Sequence, residues 1–261
     1  MLFRKTAMLA VGLFVSSVSF AGPIVSGFDS KSLGRNDDGS MLAIIGFDIN
    51  FFGSTYSRLY VNNNGNVTFG SPKNAYTPSS LGVLGDVFIA PFFADVDTSL
   101  AGSPVTYGVG TYDGQAAFGV NWVDVDYYYG RYTHTARNSF QLILVDRSDG
   151  DFDIIFNYDS IQWEAGTMSG GAIETGLGGT AARAGWASGT GEFYELAGSG
   201  VNGAFINGGP NALAGMSYVF QVRNGEPLPP IPAVPEPENW AMLLTGLGIV
   251  GVTARHRRRR K

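Results

Sequence analysis

"NSFQLILVDRSDGDFDIIFNYDSIQWEAG", residues 138–166, sets two apolar runs about a polar turn. Phe140, Leu142 and Leu144 alternate with Gln141, Ile143 and Val145, and both sets are largely apolar. Alternation of period two marks a strand, and a strand apolar on both faces is covered on both. The first run therefore reads as a central strand. The chain then turns near Asp149 and Gly150, residue types that tolerate the backbone of a tight turn, and a second strand starts at Phe152. Such a hairpin needs packed sheets around it, not one solvated sheet.

Working outward, "LAIIGFDINFFG" (42–53), "SRLYV" (57–61), "NVTFG" (66–70) and "AAFGVNWVDV" (116–125) are short and rich in β-branched or aromatic residues. In "LYVNNNGNVTF" (59–69) the asparagines and Gly65 read as sources of positive φ, joining a strand that ends near Val61 to one that begins near Asn66. Turns recur every ten or so residues with no amphipathic helix between them. This pattern predicts an all-β fold, a β-sandwich of mainly antiparallel strands. From Gly166 to Gly215 the composition moves toward Gly, Ala and Ser, and "AIETGL" and "RAGWAS" suggest further short strands joined by glycine turns.

The two ends differ from this body. Residues 1–21 carry Arg4 and Lys5, an apolar run to Val15 and small residues at Ser19 and Ala21. That is the layout of a secretory signal peptide, with cleavage expected after Ala21. The body is taken as residues 22–222. Residues 223–233 form a proline-rich spacer, and residues 234–261 a terminal segment. Within that segment, Trp240 to Ala254 would form a short hydrophobic helix of about 22 Å, against the roughly 30 Å hydrocarbon core of a bilayer.

Arg4, Lys5, five C-terminal arginines and Lys261 belong to the ends, which leaves 9 of the 17 basic residues in the body and spacer together. With Glu236 and Glu238 set aside, 20 of the 22 acidic residues remain, so the body carries a net charge near −11. Such a surface repels nucleic acid. The basic tail reads as a stop held on the cytoplasmic side of a membrane. The chain has no cysteine, which excludes disulfides, thiol catalysis and thiolate metal sites.

"VPEPENW", the hydrophobic run and "RHRRRRK" together resemble the PEP-CTERM sorting signal of Gram-negative bacteria. The resemblance implies that Val234, Pro235, Glu236 and Pro237 mark a region recognised by an exosortase, with signal peptidase acting at the other end. The tail would then contact the membrane at least transiently; the alternative is a permanent single-span anchor. In the body, "RLYVNNNGNVTFG", "IAPFFADVDT", "AFGVNWVDVDYY" and residues 138–166 resemble successive blocks of a nidogen-like (NIDO) domain. Phe93 stands where many members have Trp. This second resemblance implies an extracellular interaction domain of cell-matrix adhesion, without catalysis, whose partners are extracellular polysaccharide or surface proteins.

Candidate sites are few. Asp95 and Asp97 lie two apart, as do Asp124 and Asp126, and on a strand each pair would share a face. Paired carboxylates can hold calcium or perform acid–base chemistry on a polysaccharide, an alternative activity for which Asp95, Asp97 and Glu164 are the candidates. Asp146, Asp149, Asp151 and Asp153 form a second acidic group, read as a solvated turn with calcium as the alternative. No cofactor is expected, with calcium at Asp95, Asp97, Asp149, Asp151 or Asp153 as the one alternative. "GLGGTA" (176–181) has dinucleotide-like spacing but no helix after it. Tyr127, Tyr128, Tyr129 and Tyr132 form an aromatic group that cannot all face inward, and so offer a partner or glycan surface. His134 reads as a surface histidine.

Overall fold

The computed structural model describes residues 24–130 and 132–228. The expected signal peptide and its cleavage point after Ala21, most of the proline-rich spacer, the motif Val234–Pro237 and the C-terminal helix lie outside them. Among the described residues no helix is long and apolar enough to cross a membrane.

Two antiparallel sheets form the expected sandwich. The larger has the order β1 (Lys31–Ser32), β7 (Thr106–Tyr112), β8 (Gln115–Tyr127), β9 (Asn138–Asp146), β10 (Phe152–Ser160), β13 (Ser217–Arg223) and β14 (Glu226–Pro227). A further short strand, β6 (Val96–Asp97), pairs with the end of β8. The smaller sheet runs β12 (Phe193–Glu195), β11 (Arg183–Ser188), β5 (Val87–Phe93), β4 (Asn66–Phe69), β3 (Ser54–Asn62) and β2 (Ser40–Phe51).

The hairpin of residues 138–166 is β9 and β10, and its turn uses positive φ at Ser148, Asp149 and Gly150. β9 is central, between β8 and β10. Its inner face, Phe140, Leu142 and Leu144, packs with Phe92, Val61 and Trp122 in the inter-sheet core. Phe140 stacks on Trp122 with centroids 5.2 Å apart and tilts against Phe92 across the gap. Burying each such side chain contributes about 1.5–3 kcal/mol.

What covers the outer face is the chain's own N-terminal arm. Phe28 packs there with Ala117, Ile143, Val145 and Ile155. Beside it runs a polar row in which Thr106, Asn121, Gln141, Asn157 and Ser217 sit opposite one another on β7, β8, β9, β10 and β13. Gln141 Nε2 donates to Asn121 Oδ1 and to the Val25 carbonyl, both at 2.7 Å. Its Oε1 accepts from Val25 N–H and Asn157 Nδ2, both at 3.0 Å. Ser217 Oγ donates to Asn157 Oδ1, and Asn121 Nδ2 donates to the Phe28 carbonyl. Gln141, the one polar residue between Phe140 and Val145, thus captures the arm as an added strand would.

Several local expectations need correction. Between Gly166 and Gly215 only "RAGWAS" and Phe193–Glu195 are strands; "AIETGL" is a turn, with Gly176 at φ 62° wedged against Trp163 and Tyr127. The fold also passes the expected boundary at Val222, turning at Asn224–Gly225 into β14 and ending in a bond from Leu228 N–H to the Gln221 carbonyl of 2.7 Å. Pro91 sits inside β5 without penalty because β4 pairs only as far as Ile89 and β11 is irregular between Arg183 and Gly185.

Candidate functional site

The hairpin of β3 and β4 organises one end of the sandwich. Its tip is not a solvated turn. Asn62, Asn63 and Asn64 are buried, and only Gly65 takes a positive φ, 72°. The amides act as brackets: Asn63 Nδ2 donates to the Val96 carbonyl, and Asn64 Oδ1 accepts from Val96 N–H at 2.9 Å. Trp122 Nε1 donates to the Asn63 carbonyl at 2.9 Å, linking the two sheets. A Cβ at Gly65 would overlap the Phe92 carbonyl, so only glycine fits.

Three carboxylates converge beside this tip. Asp95 lies in the bend between β5 and β6, while Asp37 and Asp38 lie in the loop before β2. Each offers an oxygen within 4.8 Å of the others. They line a cavity of about 160 Å³ with Tyr76, Tyr128 and Met168. The loop is fixed, since Thr98 N–H and Oγ1 both donate to the Asn36 carbonyl, at 2.9 and 2.8 Å, and Gly39 N–H donates to Asn36 Oδ1 at 2.7 Å. Asn64 Nδ2 donates to Asp38 Oδ1 at 2.8 Å. Asp95 is 2% exposed, and its Oδ2 has no hydrogen-bond partner; nor has Asp37 Oδ1. Burial, then repulsion from Asp38 and Asp97, pushes the Asp37 carboxyl up to about 7. Burial, then repulsion from Asp37, Asp38 and Asp97, pushes Asp95 up to about 8. Among the described residues no ion pair reaches Asp37, Asp38 or Asp95.

Neither expected pair presents two carboxylates on one open face, although Arg137 reaches both Asp124 and Asp126, at 3.9 and 3.1 Å. Asp97 turns to its own chain and accepts from Ser99 N–H at 2.7 Å, so Asp95 finds its partners in Asp37 and Asp38 instead. Asp124 sits at a register shift with φ 55°, which breaks the alternation: its side chain is 59% exposed and that of Asp126 only 4%. In the second acidic group, Asp149 is exposed, Asp151 accepts from Asn224 N–H, and Asp153 is buried between Arg147 and Arg223 at 2.7 Å each. Arg147 and Arg223 thus neutralise Asp153, and the shared turn expected of the group is confined to its exposed members. Glu164 is fully buried and accepts from Gly203 and Phe205 N–H, tying down the glycine-rich loop.

The aromatic group divides. Tyr127 is 1% exposed and donates to the Ile173 carbonyl at 2.7 Å, so it belongs to the core and not to a binding surface. Burial pushes its phenol up to about 12. His134 is likewise no surface residue: its side chain is 8% exposed, stacks on Tyr127 at 3.8 Å and meets Asp126 Oδ1 through Nδ1 at 2.8 Å. Tyr128 lines the acidic cavity, its N–H donating to the Asp95 carbonyl at 3.2 Å. Tyr129 and Tyr132 stack on each other at 5.0 Å, with Tyr132 65% exposed. Asp37 and Asp38 escape a reading of the sequence because "NDDG" has the composition of an ordinary turn, and no spacing rule connects it to Asp95.

An all-β sandwich with its polar apparatus gathered at a hairpin tip is the class these features define. The chain belongs to the nidogen-like domain family, matching it over residues 57–112 and 105–224. It is similar to human alpha-tectorin, 37% identical over 188 residues that cover 62% of this chain and 8% of that protein. Mouse alpha-tectorin is 38% identical over the same length, with the same shares covered. Drosophila melanogaster nidogen is 26% identical over 226 residues, which cover 75% of this chain and 16% of that protein. The chain therefore spans a small fraction of these relatives' length. No solved structure matches it.

Proposed function

We propose that this chain is an exported nidogen-like protein that acts as an adhesive or structural component of the cell surface or of an extracellular polysaccharide matrix. Signal peptidase removes residues 1–21, an exosortase recognises Val234, Pro235, Glu236 and Pro237, and the tail holds the precursor in the inner membrane until it is cut. Membership of the nidogen-like family supports the extracellular role. The observation that carries the binding mode is the stack of half-buried Tyr129 on exposed Tyr132, in the segment that follows Tyr128 of the acidic cavity, because aromatic faces stack on sugar rings and anchor partner surfaces.

The test is binding of the full chain to matrix polysaccharide, compared with a Tyr129→Ala, Tyr132→Ala double variant. Retention by the polysaccharide that falls about tenfold in the variant supports the reading, an effect in keeping with the loss of one aromatic hot spot. Equal retention, or none by either protein, overturns it. Reducing-sugar release that Asp97→Asn abolishes would replace adhesion with the enzymatic alternative. Replacing Pro235, Glu236 and Pro237 with alanine decides the tail: unprocessed precursor accumulates if it is a sorting signal, and membrane retention is unchanged if it is a permanent anchor.

A further inference from the structure

We infer that the cavity between Asp37, Asp38 and Asp95 is a calcium site that clamps the loop preceding β2 to the tip of the sandwich. The inference rests on two independent observations. One is convergence: three carboxylates from two distant segments place oxygens within 4.8 Å of one another. Ligands on opposite sides of a calcium ion, each at about 2.3–2.6 Å, stand about that far apart. The other is the unpartnered oxygen. Asp95 lines the cavity and is 2% exposed, yet its Oδ2 has no donor. Burying a carboxylate without a partner costs several kcal/mol, and a fold that keeps one aimed into a cavity meets that cost when a cation enters.

The surroundings are built for the same task. Asn64 Nδ2 orients Asp38, and Thr98 holds Asn36 just ahead of Asp37, so the loop is positioned before any ion arrives. A Cβ at Gly166 would overlap Asp95 Oδ2, so the glycine there leaves the carboxylate its room. The donor set is all oxygen, hard ligands that suit calcium, magnesium or manganese and not the metals that seek thiolate or imidazole. At about 160 Å³ the cavity holds an ion with several waters to complete its coordination, each water occupying about 30 Å³. Magnesium demands a near-ideal octahedron and is usually held by only one or two carboxylates, whereas calcium accepts an irregular shell of six to eight oxygens such as three carboxylates from two segments begin to build.

The cation would join Asp37 and Asp38 to Asp95, and Tyr128 N–H already binds the Asp95 carbonyl. Occupancy therefore sets the rigidity of the loop that leads to Tyr129 and Tyr132. The calcium site stands whether or not those tyrosines bind glycan.

The test uses the full chain stripped with a chelator. Calcium chloride titrated in a calorimeter gives one site per chain, with affinity in the ~10⁻⁴–10⁻³ M range of extracellular calcium modules. Terbium added in its place luminesces on excitation of tyrosine, because Tyr76 and Tyr128 border the site. Asp95→Asn and Asp38→Asn each weaken calcium at least tenfold and remove the rise in Tm that calcium gives the native chain. Asp95→Asn loses none of its metal-free Tm, since the amide keeps the shape of the carboxyl and has no charge to bury; this separates loss of the site from loss of the fold. Absence of calcium binding, or terbium luminescence unchanged in both variants, overturns the inference. Magnesium binding as tightly as calcium overturns the choice of ion.

Discussion

Replacing Gln141 with leucine should unlatch the N-terminal arm. Leucine fits the volume and β9 is central, so the strand itself has no reason to leave the sheet. What is lost is the bracket. Asn121 Oδ1 and Asn157 Nδ2, both on buried side chains, lose the partner that satisfied them. Each buried polar atom so abandoned costs about 1–3 kcal/mol, and the two together about 2–6 kcal/mol. Val25 N–H and C=O lose Gln141 as well, but they can turn to water if the arm lifts, at the cost of exposing Phe28. Urea unfolding should therefore show a loss of about 2–6 kcal/mol, a large share of the ~5–15 kcal/mol typical of a domain. Hydrogen exchange at Val25 should accelerate far more than at Leu144. A loss below about 1 kcal/mol, or unchanged protection at Val25, would refute the latch and return Gln141 to an ordinary core position.

Glu164→Gln should destabilise the chain by about 1.5–3 kcal/mol, because the amide can accept from Gly203 or Phe205 but not from both; an unchanged urea midpoint would count against the loop tether. In a chelator, stability should fall as pH rises. Asp37 and Asp95 have folded values of about 7 and about 8 against 3.8, so the folded state binds protons more tightly than the unfolded chain. Their neutral forms favour folding below pH ~4, and that advantage is lost as pH climbs through the window up to ~8. Tm measured across this range should decline in the native chain and decline less in Asp95→Asn; a flat profile in the native chain would refute the burial of these charges.

The architecture was legible where the code is local. Period-two alternation and the Asp149–Gly150 turn locate β9 and β10, and the apolar outer face of β9 foretells a cover, though not that the cover is the arm holding Val25 and Phe28. Asn62–Asn64 misled because asparagine is common both in turns and in buried polar brackets, and the choice between them depends on Val96 and Trp122, far along the chain. Tyr127 and Tyr128 differ for a similar reason. Alternation says that neighbours point apart, but only the packing of Trp163 and His134 decides which one is inside. The acidic cavity was half visible: Asp95 was a candidate, and its true partners were hidden by topology.

The short hairpin that closes the domain has a mechanical consequence. The chain continues past Leu228 from β14, a two-residue strand on the rim of the larger sheet, held by its pairing with Val222 and Arg223 and by the bond to Gln221. Whatever the following segment is fastened to, tension enters the domain there. A load across the strands peels β14 one hydrogen bond at a time, while the hairpin tip, the arm and the central strands stay unloaded. The last few residues would act as a slack-giving clip, yielding at low force and sparing the sandwich behind it.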